Sequence, residues 1–189
     1  MKIATVELTS QSPMAQGKYV IEPKKDKELP KDYEERTWRF KMHYDKDGMV
    51  FVPQYALKNC LSEAAKFLSI QIPGKGKSTY TKHFEAGVTC TDNMSLGILK
   101  DDVPSQHMFV PSDGIRGSNK RVIKFFPVIP EWKGTANFLI LDDTITQDVF
   151  KLHLEQAGKF IGLGSFRPRN NGYFGRFSIN LKKWEDNQD

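Results

Sequence analysis

Between residues 161 and 177 the chain reads IGLGSFRPRNNGYFGRF. Arg167, Arg169 and Arg176 are interleaved there with Phe166, Tyr173 and Phe174, and glycines at 162, 164, 172 and 175 together with Pro168 break any regular pattern. Glycine lets a backbone approach a ligand closely. Guanidinium groups neutralise phosphates and stack on flat rings, and exposed aromatic faces take unpaired bases at roughly 1–3 kcal/mol each. Such a stretch offers grip on a charged, planar ligand rather than bond-breaking. Plainer uses fit some of the same residues: Phe177 and Phe174 suit the core side of a following strand, Gly164 and Gly175 suit turns, and the arginines suit an ordinary charged surface.

Two further cationic stretches point the same way. IPGKGKSTYTK holds Lys75, Lys77 and Lys82, and VPSDGIRGSNKR holds Arg116, Lys120 and Arg121. The tripeptide GKS in the first is no phosphate-binding P-loop, because that motif needs glycine where Gln71 stands and a helix where Thr79, Tyr80 and Thr81 read as strand. A basic hairpin is expected instead. Nothing reads as catalytic: His43, His83, His107 and His153 belong to no motif, and Asp45 and Asp47 precede Gly48 in what reads as a plain hairpin turn. Asp142 and Asp143 suit a strand-to-helix turn, so no metal and no cofactor is expected.

The elements that must carry these residues follow from periodicity. KIATVELTS alternates Ala4, Val6 and Leu8 against Ile3, Thr5 and Glu7, a half-buried first strand. Pro13 and Gly17 mark the turn after it, and IEPKKDKELPKDYEER reads as an exposed, charge-dense loop. Met49 to Val52 form a short strand ending at Pro53. Proline suits the first turn of a helix, and Leu57, Cys60, Leu61, Ala64, Phe67 and Leu68 then recur at helical spacing, with Lys58 on the other face. The start of that helix suits a phosphate. RVIKFFPVIPEW and TANFLILDD read as strands, Thr146 as a helix cap, Val149, Phe150, Leu154 and Ala157 as its buried side, Gly158 as its left-handed end, and GRFSINLKKW as a last strand. Strand, helix, two strands, helix, strand is the α+β, ferredoxin-like plan.

The chain has 189 residues and is 39% hydrophobic, which suits one domain, 1–189, with insertions at 18–48 and 71–120. A net charge of +5 favours an anionic partner without requiring one. Two cysteines, Cys60 and Cys90, exclude a disulfide framework. The first residues lack the apolar run of a signal peptide, so a cytoplasmic location is expected.

Three stretches in order, VELTSQSPMAQGKY, DGMVFVPQYALKNCLSEAA and GLGSFRPRNNGYFGRFSI, resemble the RAMP superfamily, whose members build CRISPR effector complexes. Ser12, Pro13 and Gly17 match its first turn. Pro53, Leu57 and Lys58 match its proline-led helix, where Gln54, Tyr55 and Ala56 replace the usual Gly-Ser-Ser. Gly162, Gly164, Gly172 and Gly175 match its glycine-rich loop. The resemblance implies a ferredoxin-like, RNA-recognition-motif-like core with a thumb-like hairpin inserted at 71–120. It also implies a non-catalytic backbone subunit that oligomerises head to tail along single-stranded RNA, a guide strand, beside other effector subunits. The candidate contacts are Lys58, Lys75, Lys77, Lys82, Arg116, Lys120, Arg121, Phe166, Arg167, Arg169, Tyr173 and Arg176. Where some backbone subunits carry a cleaving aspartate, this chain has Trp38, Arg39 or Phe40. The alternatives are a RAMP-fold endoribonuclease and a phage structural or assembly protein without nucleic-acid binding; DNA as the ligand and a phage or mobile-element origin also fit.

Overall fold

The computed structural model describes residues 1–112, 115 and 117–186. In chain order these form β1 (Lys2–Ser10), β2 (Met14–Ala15), α1 (Pro30–Thr37), β3 (Met49–Val52), α2 (Gln54–Leu68), α3 (Thr81–Gly87), β4 (Val88–Cys90), β5 (Met94–Leu99), β6 (Ser105–Pro111), β7 (Arg121–Ile129), β8 (Lys133–Ile140), α4 (Gln147–Gln156) and β9 (Phe177–Asp186). β1, α2, β4, β8, α4 and β9 make the core. Their sheet runs β4-β8-β1-β9 with every neighbour antiparallel, which is the expected βαββαβ arrangement. The alternation in β1 does what it predicts: Ala4, Val6 and Leu8 are fully buried. They meet Ala136, Phe138 and Ile140 of β8, Leu57, Cys60 and Leu61 of α2, and Phe150 and Leu154 of α4 in one core. The Phe138 and Phe150 rings meet edge-on at 5.3 Å, a favoured aromatic geometry.

The opposite face of the sheet is polar apart from the paired Ile3 and Leu139 at one end. Thr5 donates to Asn137 Oδ1 at 2.9 Å, and Glu7 holds Lys133 and Lys182 at 3.1 and 3.3 Å. Phe138, Phe177 and Trp184, the aromatic residues of this sheet, pack into the core instead. β3 pairs with β5, and β2, β7 and β6 form a third sheet, from which the β6–β7 ribbon carries Lys120 and Arg121 at its far end.

Several local expectations give way. Residues 30–37 are the helix α1 rather than loop. Pro30 opens it, and Glu34 fastens it to β7 by accepting from Phe125 N at 3.1 Å and pairing with Lys41 at 2.5 Å. Charge contacts hold this helix, so no apolar stripe announces it. Tyr80 and Thr81 begin α3 rather than a strand, because Tyr80 and Phe84 are drawn into the core. Within 71–120 the chain also supplies β4, an edge of the main sheet. Phe67 is 51% exposed and lies against Phe160 at 5.6 Å. Gly158 is no left-handed cap: α4 runs into a π-helical turn, Ala157–Ile161, and the positive φ falls at Gly162.

His153 of α4 is fully buried. Its Nδ1 donates to Val149 O at 2.7 Å, its ring lies 4.3 Å from that of Phe84, and Nε2 has no partner among the described residues. Burial pushes its pKa down from 6.5. The unfolded chain therefore binds the proton first, and stability, complete above about pH 6.5, is lost as pH falls from there toward the folded value. His153→Leu should flatten that acid-side loss. Denaturant midpoints between about pH 7 and pH 5 check this, and equal slopes in the two proteins would contradict it.

Candidate nucleic-acid interface

The glycine-rich stretch is a folded-back loop stitched to the turn after β1. Leu163 N donates to Gly175 O at 3.0 Å, Gly175 N to Pro13 O at 2.7 Å, and Ser165 N to Ala15 O at 2.7 Å. Ser12 Oγ accepts from Arg176 N at 2.9 Å. Gly175 has φ +83°, and a Cβ there would stand 1.9 Å from Leu163 O, so no other residue fits without moving the loop backbone at Leu163. Cys60 Sγ of α2 reaches Gly162 O at 3.4 Å. The first and third sequence motifs thus bond directly to each other, and the second lies under them.

Between all three opens a cavity of about 500 Å³. Gly17 of the first motif, Pro53, Tyr55 and Ala56 of the second, and Gly164 and Ser165 of the third line it, with Lys18, Tyr19 and His43 on the rim. Tyr19 is 85% exposed and Tyr55 59%. Gln16 is buried and shapes the wall: its Oε1 accepts from His43 N at 2.7 Å and its Nε2 donates to Phe51 O at 3.0 Å. The His43 ring stands edge-on to Tyr55 at 6.4 Å. Burial, with Lys18 nearby, pushes its pKa below 6.5, so it is neutral at pH 7. One cation, two exposed phenols and a neutral imidazole around a concavity suit a phosphate and an unstacked base.

Lys18, Tyr19, His43 and Tyr55 are absent from the sequence candidates. A signal existed for three: Lys18 and Tyr19 directly follow the motif glycine, and Tyr55 replaces a small hydroxyl residue in the second motif. The start of α2 is partly occupied, since Gln54 N donates to Asn93 Oδ1 at 3.0 Å. Lys58 lies in a separate cleft with Tyr55 and β4.

The structure divides the arginines of the loop. Arg167 and Arg169 both grip Glu63 of α2, at 3.0 and 3.1 Å on its two carboxylate oxygens, so the three groups together carry one positive charge. The Arg169 guanidinium also lies 5.8 Å from the centre of the Phe67 ring. Arg176 lines a different cavity, beside Lys159. Tyr173 is 65% exposed. Phe174 precedes β9 rather than belonging to it and lies half-buried between Tyr173 and Phe166. Phe166 takes the left-handed φ of +54°, rare for an aromatic residue, and its ring meets Phe126 of β7 edge-on at 5.0 Å.

The remaining cations sit on separate elements. Lys75 and Lys77 are on the turn after α2, Lys82 is on α3, Lys120 and Arg121 are on the β6–β7 ribbon, and Arg116 lies outside the described residues. Among the described residues no three His, Cys, Asp or Glu side chains gather as metal ligands. His83 and Asp142, far apart in sequence, meet at 2.6 Å. No described helix is long and apolar enough to cross a membrane.

Comparison with solved structures adds two likenesses. The chain superposes over 97% of its length on a chain of the cryo-EM structure of the type III-B Cmr-beta bound to cognate target RNA, with TM-score 0.54 and 14% identity. It spans 60% of that chain's length. The crystal structure of Cmr6 from Pyrococcus furiosus matches over 95% of this chain and 99% of its own, with TM-score 0.48 and 13% identity. No protein-family model and no curated protein matches the sequence. At these identities the likeness is one of fold.

Proposed function

We propose that this chain, which shares the ferredoxin-like fold of type III-B CRISPR RAMP subunits, is a non-catalytic subunit of a CRISPR-type ribonucleoprotein that binds single-stranded RNA. The observation that carries the reading is the meeting of all three motifs around one cavity rimmed by Lys18, Tyr19, His43 and Tyr55. The lack of aromatic residues on the open sheet face among the described residues supports a strand gripped at this loop end rather than across the sheet. The likeness to a structure bound to target RNA favours RNA over DNA as the ligand. In this reading the β6–β7 ribbon is the thumb-like element. It presents Phe109 and Ile123, 62% and 51% exposed, beside Lys120 and Arg121, and reaches the nucleic-acid track of the next copy in a head-to-tail array. Other effector subunits and the guide strand complete the assembly.

Titration with single-stranded RNA at several salt concentrations tests it. The logarithm of affinity should fall linearly with that of salt, with a slope of about −0.7 per neutralised phosphate. Lys18→Ala with Tyr55→Ala should weaken binding roughly tenfold, and Arg167→Ala with Arg169→Ala, which removes the one net positive charge left beside Glu63, should reduce the slope by about one in all. Salt-insensitive affinity, or wild-type affinity in all of these variants, would sink the proposal. Sedimentation on long strands tests the array, which predicts several copies per strand.

His43 supports a second reading, an endoribonuclease. It is neutral at pH 7 and sits in the cavity, the state a general base requires. RNA cut by the wild type and left whole by His43→Ala would decide for it.

A further inference from the structure

A second cavity, of about 420 Å³, shares no lining residue with the first. It exists because the π-helical turn after α4 presses on the start of β9. A Cβ on Gly158 would stand 2.1 Å from Phe177 O, so only glycine allows this approach. The neighbours of the two touching residues, Lys159 and Arg176, are thereby brought to one rim. Among the described residues neither forms an ion pair, and the Arg176 guanidinium has only a long contact, 3.4 Å, to Tyr173 O. Gln11 and Ser178, bonded to each other at 3.1 Å, line the cavity with Glu155, whose nearest cation, Lys151, is 4.0 Å away. Two unpaired cations over a concavity leave a positive potential that an anion relieves. π-helical turns are also frequent at functional sites.

We infer that this cavity binds a ribonucleotide unit bearing a single phosphate. The phosphate lies between Lys159 and Arg176. The amide of Gln11 and the hydroxyl of Ser178 face the sugar or base, and the Glu155 carboxylate accepts from ribose hydroxyls. The same carboxylate repels a second phosphate, which selects against di- and triphosphates. This goes beyond strand binding at the first cavity and does not depend on it. The unit is either a free mononucleotide or one residue of a longer strand, since both present the same chemistry.

Titration of the full chain with uridine 5′-monophosphate, and separately with a short oligouridylate, tests it. Saturable binding of the mononucleotide that Lys159→Glu weakens roughly tenfold or more, and that Lys159→Arg retains, supports a free-nucleotide site. Binding of the oligonucleotide alone, weakened in the same way, supports the site and assigns it to a strand. Lys159 is exposed, so the variant should melt as the wild type does, and Arg176→Gln provides an independent second variant. If neither ligand binds, or neither loses affinity in Lys159→Glu and Arg176→Gln, the inference is overturned. Failure of strand binding at the first cavity would show instead in the Lys18 and Tyr55 variants, whatever Lys159 does.

Discussion

Phe177→Ala is expected to cost about 3–5 kcal/mol, as large-to-small changes at buried aromatic positions do. Phe177 opens β9, is 2% exposed, and faces Trp132 edge-on at 6.1 Å while its backbone supports Gly158 of the π turn. The void left behind adjoins the turn, the strand and the core at once, so little can collapse into it. For a domain of this size the loss corresponds to a fall in melting temperature on the order of 10 °C. Phe174→Ala, in a half-buried loop position, should cost only about 1 kcal/mol. Thermal and denaturant unfolding of the two variants provides the comparison. A similar small loss in both would mean that Phe177 does not bear the weight its burial implies.

The second large effect is expected at Gly175. Alanine there meets two penalties together: a left-handed backbone, about 1–2 kcal/mol, and a Cβ driven against Leu163 O. With overpacking costs of about 1–3 kcal/mol, the sum is roughly 3 kcal/mol. The rest of the core is untouched, so the protein should stay folded while the loop shifts. The shift would displace Gly164 and Ser165 from the first cavity, and RNA affinity should fall with stability. Lys18→Ala should lower affinity alone. An unchanged melting temperature in Gly175→Ala would show that the loop is not held by the bonds between Leu163, Gly175 and Pro13.

Residues that signal structure through their own neighbours were readable in the sequence. β1 declares itself by alternation, α2 by Leu57, Cys60, Leu61 and Ala64, and α4 by Thr146, whose hydroxyl accepts from Val149 N at 3.4 Å. With the strand at the end they give the four-stranded core. α1, α3 and the π turn were not readable, because distant partners hold them: Phe125 for Glu34, the core for Phe84, and Phe177 for Gly158. The site divides the same way. Composition marks the glycine-rich loop as a place for cations and rings, but Glu63, 106 residues from Arg169 in sequence, absorbs two of its three arginines. Lys18, Tyr19 and His43 become neighbours of that loop only after the chain has closed on itself.

The placing of β1 has a cost in time. It pairs on one side with β8 and on the other with β9, so that Lys2 faces both Ile140 and Asp186. A ribosome adding about 5–20 residues per second needs roughly 10–35 s to make the chain between the two ends of that pairing. Until Ile140 has been made, about 7–28 s at that rate, the apolar face of Ala4, Val6 and Leu8 has neither flanking strand, and β9 is still missing for the remainder. Contacts so distant along the chain also make refolding slow. The newborn protein therefore depends on whatever shields an unpaired strand, and cooler expression or a holding chaperone should raise its soluble yield more than any change to the surface.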